Sequence, residues 1–234
     1  MTSQKGPQAL AAEARRKESE AAALRENLKR RKAQARGRQA MEDEAAIQSV
    51  LDFWFAPEGD AEHGTFRRAW FEKQPEFDGA CRMHFTALLR DARQGSLDRW
   101  AETAEGALAL VVLLDQLSRN IHRGTPDAFA ADTQALAVAR RMVARGFDRV
   151  LAPVMRIFVY LPFEHAEDPA LQDEAVRLME SLPEAPWRSE VVRFAHAHRD
   201  VIALYGRFPH RNAILGRTST PEETEYLAQP GAGF

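Results

Sequence analysis

Apolar residues recur along this chain at the spacing of a helix face. Ile47, Val50, Leu51 and Trp54 fall at i, i+3, i+4 and i+7, and Phe77, Cys81, Phe85, Leu88, Leu89 and Ala92 repeat the pattern. The two runs end near Pro57 and Gly95, predicting two amphipathic helices. From Ala104 to Leu117 the apolar side chains point in nearly every direction, which predicts a helix buried on all sides. A further stripe, Val191, Phe194, Ala195, His198, Val201, Ile202 and Tyr205, turns His198 inward while His196 and Asp200 point elsewhere. Thr125-Pro126, Asp168-Pro169 and Thr220-Pro221 each set a capping side chain before a proline, and Glu223 completes a capping box with Thr220. Gly146 and Gly206 stand where left-handed caps end helices. No stretch alternates with period two between hairpin turns. The expected fold class is therefore all-α.

Short links between these helices favour antiparallel neighbours, and the expected architecture is a tetratricopeptide-like array around the central buried helix. The fixed-period Trp, Leu-Gly, Tyr, Ala and Pro pattern of such repeats is missing. The globular part is expected over residues 43–228. Residues 1–40 form a basic tail rich in Ala, Glu, Lys and Arg, helical by propensity or disordered, with only Leu10, Leu24 and Leu28 to bury. Gly37 is the expected boundary.

Charge sharpens this division. The net charge of -2 conceals a tail with 11 basic and 4 acidic residues and a remainder with 21 basic and 30 acidic. An acidic body argues against a nucleic-acid-binding globule. The basic run Lys29-Arg30-Arg31-Lys32 reads first as solvated charge, with contact to nucleic acid, an anionic membrane or the acidic body as weaker alternatives. No segment reaches the roughly 20 apolar residues of a membrane span, and the first residues do not form a secretory signal, so a cytoplasmic location is expected. One cysteine, Cys81, excludes an intramolecular disulfide and a multi-thiolate zinc site, and its helical neighbours make it a core residue. No phosphate-binding loop, nucleophile elbow or zinc helix is present, and no cofactor is expected.

Three polar clusters interrupt the apolar pattern. In the first, Asp115 and Arg119 are four apart on the buried helix, followed by Asn120 and His122; a carboxylate there needs a partner, and Arg119 is nearest. The pair reads equally as a structural ion pair or as a device that orients a ligand-binding arginine. The second surrounds Pro162, which should kink or stop its helix and leave Glu164 and His165 at a helix end. Glu164 and Glu167 with a histidine could ligate a metal, but the spacing lacks the Glu-x-x-His pattern, and a carboxylate paired with arginine ranks higher. The third joins His198 to the run Gly206-Arg207-Phe208-Pro209-His210-Arg211-Asn212. Here Phe208, Ile214 and Leu215 can pin the loop, while Arg207, His210, Arg211 and Asn212 address something negative or planar. Trp54, Phe55, Trp70 and Phe71 read as a packing cluster, or alternatively as an apolar wall.

At these residues the chain resembles the bacterial domain-of-unknown-function family 924. The resemblance rests on Val50-Leu51-Asp52-Phe53-Trp54-Phe55, Leu113-Leu114-Asp115-Gln116, Arg119-Asn120, Arg123-Gly124-Thr125-Pro126, Leu161-Pro162-Phe163-Glu164-His165-Ala166-Glu167, and Gly206 through Asn212 with Thr218 to Glu223. It spans about residues 43 to 228, leaves the basic tail outside, and implies a tetratricopeptide-like all-α fold with no assigned activity. Leu117-Ser118 stand where the family pattern has Phe-Pro.

Three functions follow as expectations. In the first, Arg207 and Arg211 clamp a small anionic ligand or acidic peptide end, Asn212 orients it, and Asp115 with Glu164 hold the arginines; Arg119, Asn120, His198 and His210 complete this site. In the second, a metal-independent enzyme, possibly a hydrolase, uses His165, His198 or His210 as a base beside Glu164. The third is a protein-interaction scaffold. The first requires Asp115, Glu164 and Arg207 to face one hollow.

Overall fold

Helix α1 (Pro7–Phe55) runs without interruption through Gly37. A lone glycine inside a helix costs about 1 kcal/mol relative to alanine, too little to stop so strong a run of helix formers. The structure, a computed structural model, describes residues 7–233, with side chains from residue 24 onward; Leu10 and the basic residues ahead of Leu24 lie outside those described side chains. All regular structure among the described residues is helical. The chain divides into two units, Met1–Ala46 and Ile47–Phe234. In the first unit, the side chains from residue 24 to residue 40 are all exposed, including Lys29-Arg30-Arg31-Lys32.

In the second unit, the last turns of α1 bury Val50, Trp54 and Phe55. Helix α2 (Pro75–Arg93) begins on a proline whose missing N–H would have had no partner, and buries Cys81, Phe85, Leu89 and Ala92. Burial pushes the Cys81 thiol up to about 12, so it stays protonated as a small apolar residue.

The expected central helix is α3 (Ala104–Val111), continued by a π-helical segment (Val112–Leu117) and α4 (Ser118–Ile121). Every residue from Gly106 to Ser118 is buried. Each fully buried leucine or valine here contributes roughly 1.5–3 kcal/mol. The Thr103 side chain caps the start by accepting from the Gly106 amide. A methyl group on Gly106 would lie 2.3 Å from the Trp100 carbonyl oxygen, so close packing on the 3-10 turn Asp98–Glu102 demands glycine. The π segment widens the helix at the residues that carry Asp115 and Gln116, as such bulges often do at working sites.

Around this axis, α2 packs on the π segment and α4, while α5 (Asp132–Arg145) and α6 (Pro153–Glu164) pack on α3. Helix α7 (Pro169–Glu180) joins α6 to α8 (Arg188–Tyr205). Pro162 does not stop α6, which continues to Glu164. Glu164 and His165 therefore stand at the helix end as expected, with His165 as the C-cap. The cap expectations hold at Asp168, which accepts from the Leu171 amide, and at Thr220, where the capping box with Glu223 opens α9 (Pro221–Leu227). Thr125-Pro126 opens only a 3-10 turn, because the Thr125 hydroxyl donates to the His122 carbonyl instead of capping.

Candidate functional site

A cavity of about 290 Å³ lies between the π segment, the end of α6 and the inner face of α8. Phe66, Trp70, Phe71 and Phe194 form an aromatic wall, and Gln116, Arg119, Asn120, Glu164, His165 and His198 form a polar floor. Trp70 and Phe71 thus combine the two roles considered for them. Trp70 packs edge-on against Phe55 and Phe158, and both Trp70 and Phe71 face the cavity.

Asp115 is the anchor of the floor and has no solvent exposure. Its Oδ1 accepts from the His165 Nδ1 at 2.8 Å and from Arg119 at 3.0 Å, and its Oδ2 accepts from the Gln116 amide. Burial opposes the charge, but the Arg119 guanidinium and His165 outweigh it and hold the carboxyl below the usual range. Arg119 also forks onto Asp132 at 2.9 and 3.0 Å, so two carboxylates raise its pKa against burial. The Asp115–Arg119 pair is therefore a structural ion pair whose arginine also borders the cavity.

Because Asp115 can only accept, the His165 Nδ1 carries the hydrogen, and in the neutral ring Nε2 holds the lone pair. Burial, then the nearby Arg119 charge, pushes the His165 pKa below the ordinary imidazole value. His165 is accordingly a neutral base at neutral pH, oriented through its far nitrogen by a buried carboxylate.

A second histidine–carboxylate pair adjoins the first. The His198 Nδ1 donates to the Phe194 carbonyl at 2.9 Å and lies 2.9 Å from Glu164 Oε1. The His165 and His198 ring centroids are 6.3 Å apart. Glu164 is 2% exposed, and its Oε2 has no hydrogen-bond partner. Gln172, fully buried on α7, donates to the Glu164 and Ala166 carbonyls and fixes the chain where the helix ends.

The C-terminal loop is arranged differently. Arg207 donates to Glu223 at 2.6 and 2.8 Å, and Asn212 donates to the same carboxylate at 3.0 Å. Arg211 lies over the Phe129 and Phe208 rings at 4.8 and 4.5 Å and reaches Asp132 at 3.5 Å; burial and Arg119 pull its pKa down to about 10. The His210 ring packs tilted against Phe208, with the centroids 5.6 Å apart. None of Arg207, His210, Arg211 and Asn212 lines the cavity. The expected convergence of Asp115, Glu164 and Arg207 on one hollow is therefore corrected. Asp115 and Glu164 meet there through the two histidines, whereas Arg207 is drawn to Glu223, a residue that sequence reading credited only with a cap.

Sequence reasoning missed several contributors. Asp78 accepts from Asn120 at 2.8 Å and from Arg123 at 2.6 and 2.8 Å, which positions two cavity residues. Asp132 does the same for Arg119. Both extend an apolar helical stripe by one turn: Asp78 precedes Phe85 by seven positions and Asp132 precedes Ala139 by seven. A carboxylate at such a position was the available signal. Glu164 and Glu167 do not join a histidine around a common point, since Glu167 accepts from Arg217 and from the Phe208 amide. Among the described residues, no group of three His, Cys, Asp or Glu side chains is arranged to hold a metal ion.

Comparison with known proteins agrees with this architecture. A model of a family described as bacterial protein of unknown function (DUF924) matches residues 50–231. A solved structure of a protein of unknown function from Agrobacterium tumefaciens is similar with a TM-score of 0.70 and 39% sequence identity, covering 79% of this chain and 98% of its own. No curated protein matches. Among the described residues, no helix is long and apolar enough to cross a membrane.

Proposed function

The chain belongs to the DUF924 family of bacterial proteins of unknown function, and from that premise we propose that its cavity takes up a small organic molecule and acts on it by general acid–base catalysis. The reading is carried by one observation: the His165 Nδ1 lies 2.8 Å from the unexposed Asp115 carboxylate while the same ring borders the cavity. Such a pair lets Nε2 accept a proton from substrate or water, with the fixed carboxylate stabilising the imidazolium that forms. His198, held by Glu164, is the second titratable ring within reach of the same ligand. No serine, threonine or cysteine borders the cavity, and in a hydrolysis the nucleophile this reading assigns is a water activated by His165. The polar floor separates this reading from a scaffold groove, which would present apolar surface to a partner.

The test is a screen of chromogenic esters, amides and phosphoesters with the wild-type protein and His165→Gln. A substrate turned over by the wild type should lose about 10²–10⁴-fold in rate in the variant, the range expected for a positioned base, with melting temperature preserved. Absence of turnover throughout the panel, or equal rates for the two proteins, would refute the proposal.

A further inference from the structure

The cavity floor carries acceptors whose orientation their neighbours fix, and these define the ligand. The Gln116 amide turns its NH₂ to Asp115, and the Asn120 amide turns its NH₂ to Asp78. Neither amide can flip without setting an oxygen against a carboxylate oxygen. Each therefore has its carbonyl oxygen left to offer the cavity, and the two residues share a helical face. Beside them Glu164 borders the cavity, 2% exposed, with Oε1 2.9 Å from the His198 Nδ1 and Oε2 buried without a donor, so its carboxylate is short of one hydrogen-bond donor. A buried carboxylate oxygen without a donor is costly, and a ligand that supplies one relieves that cost.

Charge points the same way. Arg119 and Arg123 border the cavity, but Asp115 and Asp132 neutralise the first and Asp78 the second. With Arg211 sharing Asp132, and with Arg68, Glu72, Glu164 and Glu190 also bordering the cavity, four guanidiniums stand against six carboxylates. The opposite wall of Phe66, Trp70, Phe71 and Phe194 presents aromatic rings, which attract a cation and cover an apolar body.

We infer that the cavity recognises a protonated amine or amidine carried on a small aromatic or apolar body, with the cationic N–H groups directed to Glu164 and to the Gln116 and Asn120 carbonyl oxygens. This rests on the preceding reading of the cavity as a ligand site and reverses the polarity expected from the sequence, which was an anionic ligand.

Calorimetry with benzylamine, benzamidine and phenylacetate on the wild-type protein separates the charge classes without any substitution. The amines should bind and phenylacetate should bind at least about tenfold more weakly, the scale of one charge-assisted hydrogen bond. Glu164→Gln keeps an acceptor for the His198 N–H but removes the charge, and should weaken benzylamine by about tenfold or more while melting normally. Arg207→Ala, outside the cavity lining, should leave benzylamine binding within about threefold. Phenylacetate binding as tightly as benzylamine, no amine binding, or an unchanged affinity in Glu164→Gln overturns the inference. Phenylacetate binding with turnover still lost in His165→Gln would overturn the amine assignment alone and leave the acid–base reading standing.

Discussion

The C-terminal loop and the cavity floor are both rich in arginine, carboxylate and amide groups, yet their hydrogen bonds are distributed in opposite ways. In the loop, Glu223 takes Arg207, Asn212 and the Thr220 amide, and Glu167 takes Arg217 and the Phe208 amide. Asn212 then links the two carboxylates by accepting from Arg217 at 2.9 Å. That set closes on itself, although Arg211 of the same loop keeps a buried Nε without a hydrogen-bond partner over the Phe129 and Phe208 rings. On the floor, Asp115 is equally saturated, but the groups it holds keep one functional end toward the cavity, and Glu164 Oε2 has no donor at all. A dense polar motif is thus a weaker guide to function than a buried polar group whose valence is incomplete.

The largest expected separation between the regions is kinetic. His165→Gln should lower turnover by the orders of magnitude already stated, whereas Arg207→Ala should leave the rate within about twofold, since Arg207 lies outside the cavity lining. A rate loss in Arg207→Ala comparable to that in His165→Gln would erase the distinction. Next comes Asp115→Asn. It removes a fully buried charge from Arg119 and His165, and denaturant unfolding should show a loss of about 3–5 kcal/mol, the range for breaking a buried pair from one side. Glu223→Gln should be milder, about 2 kcal/mol, because Arg207 is partly exposed and the amide still caps α9. Its rate should match the wild type. A Glu223→Gln variant that unfolds normally but loses turnover would place the loop within the site.

These contrasts also explain which parts were legible in the sequence. The helices around Phe85, Leu110 and Val191 were readable because a 3.6-residue period is a local property, and the cap at Thr220 because its partner is three residues away. The Asp115–Arg119 pair was readable for the same reason. Arg207–Glu223 spans 16 positions, His165–Asp115 spans 50, and Asn120–Asp78 spans 42, so each depends on packing that no local window contains. The loop attracted attention through its cations, but which carboxylate each cation finds is decided by the tertiary fold. The π segment left no mark in the apolar pattern either, since all six of its residues are buried whichever way they turn.

The smallest effect is the acid response of stability, and it distinguishes the two regions again through their histidines. Burial, then the Arg211 charge, lowers the His210 pKa to about 4 from an ordinary 6.5. Between those values the unfolded chain binds a proton that the native chain refuses, so stability is intact above about 6.5, falls as pH falls, and has lost this contribution below about 4. His165 acts in the same direction, since its native pKa is also lowered. His210→Phe should therefore make the decline of unfolding free energy from pH 7 to pH 4 shallower by on the order of 1 kcal/mol, after allowance for partial solvent screening. The pH dependence of turnover should not change, because that limb belongs to His165. Glu223, held down to about 2 chiefly by Arg207, adds a separate loss that begins only below about 4.5 and leaves the upper window to the imidazoles. Equal slopes for wild type and His210→Phe between pH 7 and 4 would show that His210 accepts its proton in the native loop, and a turnover limb that moves with His210→Phe would tie that loop to the chemistry of the cavity.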